Sequence, residues 1–472
     1  MSEAAPGVSP WTTDESSDGA WAEALGLYAL LALMGGVLVY AFALPLERPG
    51  RLVAFTLGVG GAWYLAWRWA SVPMALAAGV GMRLCTLAAA PQLSDDFYRF
   101  LWDGELWLAG YHPLAFVPAE APSAFAKTHA RLLAEMNSPG YFTVYPPLAQ
   151  LVFAAAAWLT DALRTGAAFL QASMLAAEVG VLALLHQLDR SPGQRGLVAY
   201  ALLPLPIVEC VGNAHFESLA VFGLLYAILQ LRRAYASSAG SWLGVGFLAK
   251  LLPALGGPAL LAALWRRRAA DTAARERRWA ELGRFLLGAA LVAVAGLVLF
   301  ALPLLREPGL LAGFGDSLDL YFRRFEFNGS AYAVARELGI AVKGWNWIAV
   351  VGPSLALLSL ATVVTLAAQV ARGRLPLAEA LLWSFGAYLL FATTVHPWYA
   401  VYCAALAPLT RYRWPYALAF AIILSYAAYG YDPVALPAWL TVLEYVPVLA
   451  LAAWEARRGG SGARAASLRP RG

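Results

Sequence analysis

From residue 21 to residue 90 apolar side chains run almost without interruption, and such runs recur to residue 455. A membrane-spanning helix needs roughly 20 of them. The pattern predicts helices over 21–45, 52–70, 73–90, 166–188, 196–210, 216–231, 236–250, 251–265, 284–305, 347–370, 376–394, 399–412, 414–430 and 436–455. This reads as an all-α polytopic membrane protein without internal repeats.

The polar positions divide the chain by side. Arginines fall in short connectors: Arg68, Arg190 with Arg195, Arg232 with Arg233, the Arg266–Arg278 cluster, Arg372 with Arg374, Arg411 with Arg413, and Arg457 with Arg458. Positive residues in short loops mark the cytoplasmic side. Alternation then leaves one crossing too many between residue 91 and Arg190, so 147–163 is expected not to span. It would lie in the outer interface or dip in and return, buried against protein. Residues 91–146, 211–217, 306–346, 394–399 and the loop at Asp432 all fall outside. The two long loops exceed what a connector needs. The expected organisation is a cytoplasmic tail (1–20), one transmembrane domain (21–455) and a basic cytoplasmic tail (456–472).

Composition adds little beyond this. The chain is 61% hydrophobic and only 13% charged, against about 25% charged in soluble domains. The net charge of +5 sits in loops, so it does not point to nucleic acid. Cys85, Cys210 and Cys403 are far apart and suggest neither a disulfide framework nor a metal site. The acidic first twenty residues lack the positive start of a secretory signal.

Chemistry concentrates at the outer segments. In "SDDFYRFLWDG" a helix would put Asp96, Arg99 and Asp103 on one face, with Asp95 four residues before Arg99. One carboxylate reads as a general base held by its arginine; an interfacial helix with self-satisfied charges fits the spacing equally. "VYPPLAQ" places Tyr145 before a proline-initiated helix. "ECVGNAHFESLA" puts Asn213, His215 and Glu217 at a helix end, where ionisable groups usually line a cavity. Lys250 points outward or into the bundle, unless it snorkels. "DLYFRRFEFNG" sets Arg323, Arg324 and Glu326 among aromatics, and "HPWY" contributes His396 and Trp398.

These stretches, in this order over roughly residues 90–400, resemble the GT-C superfamily of integral-membrane glycosyltransferases. The likeness is closest to the bacterial polyprenyl-phosphate-dependent mannosyltransferases. It implies a helical bundle of about 12–14 transmembrane helices whose outer loops, 91–146 and 306–346, carry short interfacial helices. It also implies a multi-pass protein of the cytoplasmic (inner) membrane with its site on the outer face. A sugar, mannose by this resemblance, would pass with inversion from a polyprenyl-phosphate donor to a lipid or glycan acceptor. Asp96 matches the family's base, with Asp95 as the fallback. Arg99, Lys250, Arg323, Arg324 and His396 would meet the donor's phosphate or sugar. Asp103, Tyr145, Asn213, His215, Glu217, Glu326 and Trp398 would line the pocket. The chain departs from the family's Asn-Pro-Tyr at His112–Leu114, and carries Glu217 where aspartate is common. No metal ligand set is expected, although a divalent cation is compatible with the reaction, and no nucleic acid is involved. A lipid or sugar-lipid transporter without chemistry is the alternative.

Overall fold

The computed structural model describes residues 19–467 apart from 45, 47, 267–271, 302–312, 314, 316–324 and 433. Helices make up the described chain; its only β contacts are isolated bridges from Phe327 and Asn328 to Thr394. The apolar runs fold as α1 (Gly19–Phe42), α2 (Pro49–Trp69) and α3 (Val72–Thr86). A polar excursion follows with α4 (Asp96–Leu108), α5 (Ser123–Thr128) and α6 (Ala130–Glu135), then α7 (Pro147–Leu159) and α8 (Leu163–Leu188). Next come α9 (Arg195–Ala201) and α10 (Pro204–Pro206), the latter widening into a π turn over Ile207–Gly212. An antiparallel pair, α11 (Glu217–Arg232) and α12 (Ala236–Ala249), leads to α13 (Gly257–Trp265) and α14 (Thr272–Ala301). The remainder is α15 (Ser330–Lys343), α16 (Ile348–Ala371), α17 (Leu377–Phe391), α18 (Val401–Leu406), α19 (Trp414–Ala421) and α20 (Ala438–Ser467).

Five stretches are long and apolar enough to cross a bilayer: Ala24–Phe42, Leu163–Leu188, Glu276–Val298, Ile348–Ala371 and Ala438–Arg458. A sixth is Pro192–Ala201 with Pro204–Gly212, bent by 43°. These make it a helical membrane protein. Several expected spans are shorter than the apolar runs suggested, because prolines break them: Pro204 and Pro206 interrupt 196–210, and Pro397 and Pro408 chop 399–412 into single turns. Helix α7 has 13 residues, roughly 20 Å long, too short for a core roughly 30 Å thick. It packs on α4, and the fit is close. A Cβ on Gly104 of α4 would collide with the carbonyl of Phe153.

The Arg-bearing connectors touch one another. Trp67 Nε1 donates to the Arg195 carbonyl at 2.9 Å, and Arg195 donates to the Ala70 carbonyl at 2.8 Å. Arg413 stacks over Trp67, while its N–H donates to Glu455. Arg232 donates to the Leu188 carbonyl and Arg233 to Gln187. The segments 91–96, 213–217, 250 and 394–398 are joined at the other ends of the helices that these connectors link.

This separation predicts sidedness. In a chain freed of native cysteines, a cysteine at exposed Gln92 should react with an impermeant thiol reagent on intact cells, and one at exposed Ala234 should not. Ser94 is a poorer probe because it is buried. Labelling of Ala234 alone would reverse the orientation.

Candidate active site

Asp96 opens α4, where the partial positive charge of a helix N-terminus favours a carboxylate. Its N–H donates to Ser94 Oγ at 3.3 Å. Helix α4 is wedged in place on two sides. Phe97, Phe100 and Leu101 pack on Phe153, Ala167 and Leu170, while Trp102 and Leu106 pack on Phe125 and Met136. Asp96 is thereby half-buried and turned inward, whereas Asp95 is exposed.

Both oxygens of Asp96 are held. Asn137 Nδ2 donates to Oδ1 at 3.0 Å, and Tyr145 OH donates to Oδ2 at 3.0 Å. Pro146 and Pro147 start α7 just beyond Tyr145 and set its direction. Lys250, at the end of α12, lies 4.7 Å over the Tyr145 ring and 3.3 Å from Glu217 Oε1. Burial works against a charged Asp96, but the facing His215, the Asn137 hydrogen bond, Lys250 and His396 outweigh it and hold the carboxyl below its ordinary range. Asp95 is pushed the other way, by partial loss of its hydration and by the neighbouring charges of Asp96 and Glu135.

The π turn delivers the second group. Asn213 N–H bonds back to the Val208 carbonyl at 2.8 Å, and Ala214 sits at φ +57°. A left-handed alanine costs about 1–2 kcal/mol, and such strain gathers at functional sites. Asn213 Oδ1 accepts from the Leu93 N–H at 3.2 Å, tying the turn to the entry of α4. His215 is fully buried, 3.7 Å from Glu209 through Nε2, and burial lowers its imidazole to about 3. Burial likewise lowers His396 to about 4. Both rings are therefore neutral at pH 7, which leaves Lys250 as the charged partner of Asp96. Trp398 lies between the two imidazoles, 3.8 Å from His215 and 4.4 Å from His396 by ring centroids. Phe327 covers the other face of His396 at 4.9 Å.

Among the described residues, His215 makes no hydrogen bond through either ring nitrogen, and His396 none through Nδ1. Glu217 has only its ion pair with Lys250. Buried polar atoms are nearly always satisfied, so this concentration of open groups describes a place for a polar ligand. Among the described residues no three histidine, cysteine or carboxylate side chains are placed to hold a metal ion together.

Three expected residues serve elsewhere. Arg99 was expected at the donor phosphate. Instead its Nε binds Asp103 at 2.8 Å, and its Nη1 donates to the carbonyls of Ser138 and Tyr141. It clamps the loop that carries Asn137. Asp103 in turn accepts from Gln150 at 2.9 Å, joining α4 to α7 rather than lining the pocket. Glu326 binds Tyr332, Asn346 and Arg336, a network at the start of α15 and apart from Asp96. Arg323 and Arg324 lie outside the described residues. His112, in the departing "YHPL", approaches the Phe300 carbonyl at 2.9 Å.

Sequence reading missed Asn137, Glu209, Tyr426 and Phe327. Tyr426 OH donates to Glu209 at 2.8 Å and orients the acid beside His215. Glu209 stood inside a motif already singled out, so its charge within an apolar run was an available signal; Asn137 lay in a plain polar loop. Behind the site, Arg83 and Glu178, both fully buried, pair at 2.9 Å. Arg83 also donates to the Ala201 carbonyl at the break before Pro204.

Comparison with protein families, curated proteins and solved structures finds no match to this chain.

The Arg83–Glu178 pair yields a stability prediction. Glu178→Leu strands a buried guanidinium and should cost about 3–5 kcal/mol. Thermal unfolding of the purified protein in detergent should show a clear drop in Tm. The double variant Arg83→Met/Glu178→Leu should recover only part of it, since the Ala201 carbonyl then loses its donor; an equally low Tm would mean that the carbonyl bonds, not the stranded charge, set the loss.

Proposed function

We propose that this chain is a GT-C-like glycosyltransferase with about 12–14 crossings, in which shorter apolar helices other than α7 also traverse the bilayer. It transfers a sugar, with mannose as the first candidate, from a polyprenyl-phosphate carrier to a lipid or glycan hydroxyl on the outer face of the cytoplasmic membrane. The observation that carries the reading is the set of open buried groups on His215, Glu217 and His396 beside Asp96, with the ion-paired Lys250 close enough to favour its charged form. Sugar hydroxyls, which both donate and accept, suit such a set.

Asp96 takes the proton of the acceptor hydroxyl as its oxygen attacks the anomeric carbon. The new C–O bond forms as the C–O bond to the carrier phosphate breaks, with inversion and through an oxocarbenium-like transition state. The depressed carboxyl keeps the base ionised at neutral pH. The departing phosphate gains charge and needs a cation rather than an acid, and Lys250 supplies it. His396, neutral, hydrogen-bonds a phosphate oxygen through an N–H. Tyr145 and Asn137 orient the base while leaving one lone pair on each carboxylate oxygen. A polyprenyl chain would lie along the apolar helices.

Asp96→Asn should lower turnover about 10²–10⁴-fold with normal membrane insertion, while Asp95→Asn should be milder. Purified protein should use a polyprenyl-phosphate sugar and ignore the corresponding nucleotide sugar. Efficient transfer from the nucleotide sugar without carrier would sink the donor assignment. The rate should also stay flat from pH 8 down to about pH 5, since Asp96 ionises below its ordinary value and both histidines titrate well below neutrality. An acid limb centred near 6.5 would place a charged histidine in the mechanism instead.

A further inference from the structure

The last membrane helix carries an acid that this chemistry does not use. Glu444 lies in the second turn of α20, inside a membrane-crossing stretch, and is fully buried. Carboxyls in such places are expensive and persist with a partner. Its partner is 116 residues away: Asn328 Nδ2 donates to Glu444 Oε1 at 2.7 Å. The neighbouring Tyr445 donates its hydroxyl to the Asn328 carbonyl, also at 2.7 Å. Helix α20 thus grips both the side chain and the backbone of one residue.

That residue is conformationally special. Asn328 has φ +50°, in the left-handed region that asparagine tolerates better than most side chains but still at a cost. The turn lays 325–329 along 392–395. Phe327 N–H donates to the Thr393 carbonyl at 3.1 Å, Val395 N–H to the Phe327 carbonyl at 2.8 Å, and Thr394 Oγ1 to the Phe325 carbonyl at 3.0 Å. Gly329 permits the approach, since a Cβ there would stand 2.8 Å from the Ala392 carbonyl oxygen. The result is the Phe327 ring lying within 19° of parallel on His396.

We propose that Glu444 and Tyr445 are positioning residues. By holding Asn328 in its left-handed turn they press Phe327 onto His396 and fix that imidazole for the donor's phosphate. Only the kinetic half of this inference rests on the transfer reading; the clamp itself does not.

Hydrogen exchange and kinetics on the full chain in lipid nanodiscs test it together. Glu444→Leu should speed exchange in peptides covering 325–329 and 392–396 by about tenfold or more, the loss of roughly one hydrogen bond, and leave α11 unchanged. With a polyprenyl-phosphate sugar, kcat should fall about tenfold while the donor KM stays within about twofold, because the misplaced group acts on charge formed in the transition state. Glu444→Gln keeps an acceptor oxygen and should restore both readouts. Tyr445→Phe should give a smaller change of the same sense, and it decides the matter if the leucine variant does not fold. Unchanged local exchange in both Glu444→Leu and Tyr445→Phe overturns the clamp, as does a glutamine variant that behaves like leucine. A normal kcat alongside faster exchange overturns the positioning role. Faster exchange in a protein whose wild type transfers no sugar upholds the clamp and removes the transfer reading instead.

Discussion

A helix interrupted inside an apolar bundle frees backbone carbonyls where no water can reach them, and each must find a donor. The break between Ala201 and Gly212 is the point on which the site depends. Arg83 answers at one end, donating to the carbonyls of Gly79 and Ala201, with Glu178 balancing its charge. Gln171 answers at the other, reaching the carbonyls of Thr86, Ala89 and Gly212 from α8. These two side chains make a proline-broken π turn tenable in the membrane. They also fix where it ends, and so where Asn213, His215 and Glu217 face.

The same rule of compensation shapes the rest of the cluster. Asp96 has its helix N-terminus, Tyr145 and Asn137; Glu209 has Tyr426 and Asn213; Lys250 has Glu217 and the Tyr145 face. Around Asp96 the buried atoms left without a hydrogen bond are those of His215, Glu217 and His396; others, such as Tyr40 Oη, Thr56 Oγ1 and Trp414 Nε1, are scattered through the bundle.

Much of this was legible because charges are scarce in the chain, so Asp96, His215, Glu217, Lys250 and His396 stood out singly, and the structure does gather them. Arginine spacing picked out connectors that the structure brings into contact, and the apolar run that crossing-counting set apart, 147–163, folds as a helix of only 13 residues. The roles of Arg99 and Asp103 were not legible: i,i+4 spacing shows that they pair, but not that Arg99 Nη1 turns to the Ser138 and Tyr141 carbonyls or that Gln150 donates to Asp103. Helix lengths were overread wherever prolines cut an apolar run, since hydropathy persists through a break. Long-range pairs such as Arg83–Glu178 and Asn328–Glu444 join residues 95 and 116 apart, and no periodicity reports on that distance. The 316–324 stretch, with Arg323 and Arg324, lies outside the described residues.

The aromatic ladder of Phe327, His396, Trp398 and His215 has its own consequence. His396 and Trp398 each have both faces covered, so neither can serve as a flat platform for the apolar side of a sugar ring. Anything approaching them from the side meets ring edges, where C–H and N–H groups project and the bare nitrogen of each neutral imidazole accepts. Stacking four rings therefore converts what looks in the sequence like a greasy patch into a rim of mixed donors and acceptors. Such a rim suits hydroxyl-rich groups without adding a formal charge that the bundle would have to bury.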